Sequence, residues 1–119
     1  MIDMNIKCDL HTHSLYSDGT YTPSELVREA KEKGLVIALT DHNTTAGLSE
    51  FEKAAEEQGV LAVCGVEFST EFLGNEYHII GLFISPTYYD RIEKMCEELV
   101  IRKEKKQPRN RRAFKCRRI

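Results

Sequence analysis

Three short runs, Ile6–Leu10, Leu35–Leu39 and Val60–Val66, each deliver a charge-capable residue just past their carboxyl end, and two amphipathic stretches lie between them. That order constrains the fold more than any other feature of the chain. Residues 6–10 are predicted as a buried strand. Leu35 to Leu39 is near-continuously apolar, as parallel strands covered on both faces tend to be. Between them, Thr22-Pro23-Ser24-Glu25 forms a capping box with proline at the first helical position, Leu26, Val27 and Ala30 continue the helix, and Gly34 closes it. A second helix carries Leu48, Phe51, Ala54 and Ala55 at helical spacing and stops at Gly59. Strand–loop–helix repeated in this way indicates an α/β fold with a parallel sheet. Such folds place their chemistry beyond the carboxyl ends of the strands.

The polar residues at those ends are of one chemical kind. His11 and His13 sit two apart in Asp9-Leu10-His11-Thr12-His13-Ser14, so in extended backbone both rings project to the same side. Imidazole is the commonest protein ligand for a transition metal. Asp18 follows in Ser17-Asp18-Gly19, His42 in Thr40-Asp41-His42-Asn43, Glu67 in Gly65-Val66-Glu67-Phe68 and His78 in Tyr77-His78-Ile79-Ile80-Gly81. A charge-capable side chain beside an apolar strand is costly without a partner. Each residue also has a plainer reading. His11 and His13 are then satisfied core histidines, Asp18 shapes a turn before Gly19, His42 sits at a helix cap, Glu67 is a surface carboxylate and His78 packs within a strand. Asp41 either orients a histidine or is a turn residue.

Tyr77 to Ile84 is predicted as a fourth strand, paired antiparallel with the third across Gly74-Asn75. A two-residue turn there puts Glu67 opposite Leu82, on the same face as His78. Thr87 is expected to cap a last helix carrying Ile92, Met95, Cys96 and Leu99.

Together these segments resemble the polymerase and histidinol phosphatase (PHP) family of metal-dependent phosphoesterases, over about residues 6–101. Asp-Leu-His-Thr-His-Ser, Ser-Asp-Gly-Thr, Thr-Asp-His-Asn, Gly-Val-Glu-Phe-Ser and His-Ile-Ile-Gly occur in family order. The nearest branch looks like the one hydrolysing phosphate esters of nucleotides and short oligoribonucleotides. The resemblance implies that His11, His13, Asp18, His42, Glu67 and His78 are metal ligands, with Glu67 bridging two ions. It implies up to three divalent ions: one on His11, His13 and Glu67, a second on Glu67 and His78, a third on Asp18 and His42. Mixed imidazole and carboxylate ligands suit Mn²⁺, Fe²⁺ or Zn²⁺. The activity implied is that of a metal-dependent phosphoric ester hydrolase using ion-activated water, with no separate side-chain nucleophile. The fold implied is the N-terminal portion of a distorted (β/α)7 barrel. The family's later motifs, a further histidine and a closing Asp-x-His pair, have no counterpart after His78. The expectation is therefore a barrel truncated after about four strands, its activity impaired, self-associating through unpaired edges. Two other classes are an inactive metal-binding fragment and an RNA-binding adaptor.

The bulk numbers set outer limits. A chain of 119 residues, 41% hydrophobic and 30% charged, is one soluble domain at most. No run approaches the roughly 18 apolar residues that span a membrane, and no basic-then-apolar leader opens the chain. Cys8, Cys64, Cys96 and Cys116 are scattered, and the first three fall on apolar faces, which reads as small core residues in a reducing cytoplasm. Net charge of −2 hides an asymmetry: residues 1–101 hold 7 Lys and Arg against 18 Asp and Glu, while residues 102–119 hold 10 against one glutamate. Residues 1–101 are read as the domain and 102–119 as a basic, disordered tail. Three readings of the tail stand open: an RNA-binding arm, a solvated segment, or a frame shifted within the A-rich codons of Lys105 and Lys106.

Overall fold

The computed structural model describes the backbone of residues 5–106 and the side chains of residues 5–99. Four strands, β1 (Lys7–Thr12), β2 (Leu35–Leu39), β3 (Ala62–Phe72) and β4 (Asn75–Leu82), form one sheet in the order β1-β2-β3-β4. The first three are parallel and β4 returns antiparallel on β3. Helices α1 (Pro23–Lys33) and α2 (Leu48–Gln58) make the two crossovers. A 3₁₀ turn at Pro86–Tyr88 then leads into α3 (Tyr89–Lys106). The α/β class expected from the alternation is the class observed.

Local chemistry accounts for the helix ends. The Thr22 side chain accepts the Glu25 N–H, the Glu25 side chain returns the bond to the Thr22 backbone, and Gly34 ends α1 in the left-handed region at φ 66°. Gly59 ends α2 in the same way at φ 69°. The apolar stripes of α1 and α2 meet β2 in one core of Leu26, Val27, Ala30, Ile37, Leu39, Leu48, Phe51, Ala54, Ala55 and Cys64. Burying side chains of this size stabilises by about 1.5–3 kcal/mol each. Ser24 ties the start of α1 to α2, its N–H and hydroxyl both donating to Glu50.

Three expectations are corrected. Residues 6–10 are not buried: β1 is the edge of the sheet, and Lys7 through His11 are all exposed. Cys8 is exposed for the same reason, whereas Cys64 and Cys96 are buried. The hairpin turn is Leu73-Gly74, not Gly74-Asn75, because a tight hairpin turn takes positive φ at both central residues and the chain supplies 52° and 80° there. The register moves by two residues, so Glu67 faces Ile80 rather than Leu82, and Ser69 faces His78. Because the shift is even, Glu67 and His78 still share a face. Thr87 caps no helix: Pro86 opens the 3₁₀ turn, with Tyr88 N–H bonded to the Ser85 carbonyl, and the chain enters α3 from there.

α3 continues to Lys106, so the first five residues of the basic segment have helical backbone. The rest of that segment, with Cys116, lies outside the described residues. Among the described residues no helix is long and apolar enough to cross a membrane.

Candidate metal centre

The site forms where the three parallel strands run out. Between Asp9 and Thr12 the pairing of β1 with β2 slips, three steps on β1 matching two on β2. Such a bulge re-aims side chains, and His11 lies within it. Thr12 re-anchors the strand, its carbonyl accepting the Thr40 N–H at 2.8 Å and its hydroxyl donating to the Ala38 carbonyl at 2.6 Å. His13 follows and the chain turns back, with Ser17 and Gly19 N–H both bonded to the Ser14 carbonyl. Gly19 presses so close that a Cβ there would lie 2.0 Å from the His13 carbonyl oxygen. That turn carries Asp18. His42 comes off the end of β2 and bridges in parallel to Glu67, which lies part-way along β3.

All six residues singled out from the sequence converge. Glu67, 1% exposed, is the hub. Its Oε1 lies 2.5 Å from His11 Nε2 and 3.4 Å from His13 Nε2. Its Oε2 lies 2.8 Å from His78 Nδ1 and 3.3 Å from His42 Nδ1. Asp18 places Oδ2 3.3 Å from His42 Nε2 and Oδ1 3.6 Å from His13 Nδ1. The His13 and His42 rings stack at 4.4 Å with planes 6° apart. Three groups of donor atoms result, each within 4.8 Å: His11–His13–Glu67, His13–Asp18–His42 and His42–Glu67–His78. The first coincides with the set the resemblance implied. The other two each gain a histidine, because His13 and His42 sit between neighbouring groups.

The donor chemistry fits divalent cations. His13 Nδ1, His42 Nε2 and Glu67 Oε2 are buried side-chain atoms that find no hydrogen-bond partner. Buried polar atoms are seldom left in this condition. Burial, and then the adjacent His42 ring, hold His13 below the usual histidine range, which favours the neutral form that binds metal.

Sequence reasoning underrated the residues that hold these donors. Asp41, 1% exposed, bonds serines rather than a histidine ring. Its carboxylate accepts the Ser14 N–H and the hydroxyls of Ser14 and Ser17. Asn43, at φ 52°, exchanges two side-chain hydrogen bonds with Ser69, and its N–H donates to the Glu67 carbonyl. Glu93 on α3 accepts the Thr45 N–H at 2.6 Å and the Thr44 and Thr45 hydroxyls, fixing the loop after His42. Burial pushes the Glu93 carboxyl up, but those bonds from Thr45 and Thr44 outweigh it and hold it below the usual range. Only Asp41 carried a sequence signal, as an acid directly after a buried strand.

The profile of the PHP domain family matches residues 9–116. The chain is 48% identical over 86 residues to a 5′-3′ exoribonuclease of Haemophilus influenzae, covering 71% of this chain and 31% of that protein. It is 44% identical over 79 residues to a 3′,5′-nucleoside bisphosphate phosphatase of Chromobacterium violaceum, covering 66% of this chain and 28% of that one. Among solved structures, one described as a metal-dependent phosphoesterase from Bifidobacterium adolescentis superposes with a TM-score of 0.71 at 34% identity. It covers 79% of this chain and 33% of its own. The chain thus spans about a third of the length of these three proteins.

Proposed function

The chain belongs to the PHP family, and from that premise we propose that it takes part in hydrolysing phosphate esters of nucleotides or short oligoribonucleotides, with divalent ions held by His11, His13, Asp18, His42, Glu67 and His78. The single observation that carries the reading is the chain of three donor groups sharing His13, His42 and Glu67. The names of the relatives, an exoribonuclease and a nucleoside bisphosphate phosphatase, support the substrate class.

Each side chain has a definite part. Glu67 turns Oε1 toward the β1 histidines and Oε2 toward His42 and His78, so one carboxylate serves two ion positions. Asp18 faces His13 Nδ1 and His42 Nε2 and would complete a third position with whichever ring lends its one lone pair there. Two or three protein donors per position would leave room for water and a phosphate oxygen, the open arrangement of catalytic sites. Bound ions would lower the pKa of water and neutralise charge on the phosphoryl oxygens. They would also reverse the local sign of a body that carries 18 acidic residues against 7 basic ones in residues 1–101. The donor set suits Mn²⁺, Fe²⁺ or Zn²⁺. The free thiols of Cys8, Cys64 and Cys96 suit a reducing cytoplasm. Self-association through β1 and β4 follows from their exposed lengths.

The test pairs two measurements on the purified chain: Mn²⁺ stoichiometry by elemental analysis, and phosphate release from a nucleoside 3′,5′-bisphosphate. Saturable ions with metal-dependent release are expected. Ions without release would reduce the chain to a binding fragment, and no ion above background would end the proposal.

A further inference from the structure

We infer that Asp41 is a positioning residue of the metal centre: its carboxylate staples the segment between His13 and Asp18 so that both face His42. This rests on the reading of the six donors as ion ligands and adds a residue outside that set. The carboxylate accepts three short hydrogen bonds, from Ser14 N–H at 2.6 Å, the Ser14 hydroxyl at 2.6 Å and the Ser17 hydroxyl at 2.7 Å. Ser14 directly follows His13 and Ser17 directly precedes Asp18. Both ends of the donor-bearing loop are therefore tied to one point.

The rest of Asp41 is as firmly placed. Its carbonyl accepts the Glu67 N–H at 3.0 Å, and His42 is its chain neighbour. One residue thus joins the ends of β1 and β2 to the middle of β3, the three strands that deliver His13, His42 and Glu67. Gly47 lies where a Cβ would come 3.4 Å from Asp41 Oδ2 and 2.9 Å from the Tyr16 ring, so the loop side of the carboxylate is closed off. A buried carboxylate is an expensive way to hold a loop unless every acceptor is used. Here the donors it uses all belong to the segment bounded by His13 and Asp18.

The geometry makes the effect local. Asp41 bonds the loop of the His13–Asp18–His42 group, whereas His78 approaches Glu67 Oε2 from β4. Losing the staple should weaken the ion on His13, Asp18 and His42 and spare the one on Glu67 and His78.

The experiment titrates the full chain and its variants with Co²⁺, reading stoichiometry and the visible absorbance of each bound ion, with thermal unfolding alongside. D41A should lose one ion as D18A does, with affinity there down by about 10-fold or more, the scale seen when a ligand's hydrogen-bond support is removed. The ion that H78A abolishes should persist in D41A. D41N, which keeps the shape and can donate to the Ser14 hydroxyl, should restore most of the lost affinity. A merely structural role predicts equal weakening at every position in step with the melting temperature, and that pattern, or no change, overturns the inference. Should D41A fail to fold, S17A removes a single hydroxyl and decides the matter: selective loss at the same ion supports it, and unchanged affinity refutes it. Absence of Co²⁺ binding by the unaltered chain would instead defeat the ligand reading beneath it.

Discussion

β1 and β2 lie side by side in parallel, and each feeds polar donors into the same centre, yet they live in different surroundings. Ile37, Ala38 and Leu39 of β2 are at most 3% exposed, while every residue of β1 from Lys7 to His11 is exposed. The donors inherit the contrast. His42 is held by an Asp41–Asn43 framework locked to β3 and α3, and belongs to two donor groups. His11 belongs to one, sits in a bulge, and has a side chain 42% exposed. Neighbours on both sides, rather than the strand's own apolar content, decide which half of the centre is built rigidly.

The largest test of that contrast is stability. Leu39→Ala opens a cavity under α1 and α2 and should cost about 2–5 kcal/mol in denaturant unfolding. Leu10→Ala, on the uncovered edge, should stay within about 0.5 kcal/mol. Equal losses would erase the distinction. Next comes ion binding: His42→Ala should weaken Mn²⁺ uptake more than His11→Ala in a titration followed by elemental analysis, because His42 lies in two donor groups and His11 in one. The reverse ranking would make the edge the dominant half.

Acid stability probes the buried side more finely. Glu93 titrates below its usual 4.5 because its bonds to Thr45 and Thr44 favour the carboxylate. A depressed carboxyl adds stability above its unfolded pKa and loses it as pH falls through the folded one. Glu93→Gln should therefore be less stable than the parent above about pH 5 by about 1–2 kcal/mol, the gap closing below pH 4.5. A constant gap across that window would remove the ionic part of the explanation. The smallest effect is chemical. Burial pushes Cys64 up to about 12 and Cys96 up to about 11. Brief iodoacetamide treatment at pH 8 should label Cys8 and spare both, as read by peptide mass mapping.

Much of this arrangement was legible in the residues. Capping box, terminal glycines and apolar spacing located α1, α2 and β2 closely, since each depends on contacts a few residues away. The six donors stood out because histidines and acids at strand ends are chemically conspicuous. What could not be read was relational. Ile6–Leu10 resembles a buried strand until one knows that no element among the described residues covers it. The hairpin register turned on whether Leu73 would accept φ 52°, which composition does not announce. Asn43, Glu93 and the three-bond grip of Asp41 are long-range pairings, up to 49 residues apart, that leave no periodic trace.

The alternation of faces along β4 has a last consequence. Slipping the β3–β4 pairing by a single residue would swing His78 to the side now occupied by Tyr77 and Ile79, out of reach of Glu67. Cation capture would then reward only the properly registered hairpin, so a bound ion would double as a proofreader of strand pairing, drawing the folding equilibrium toward the one alignment that can hold it.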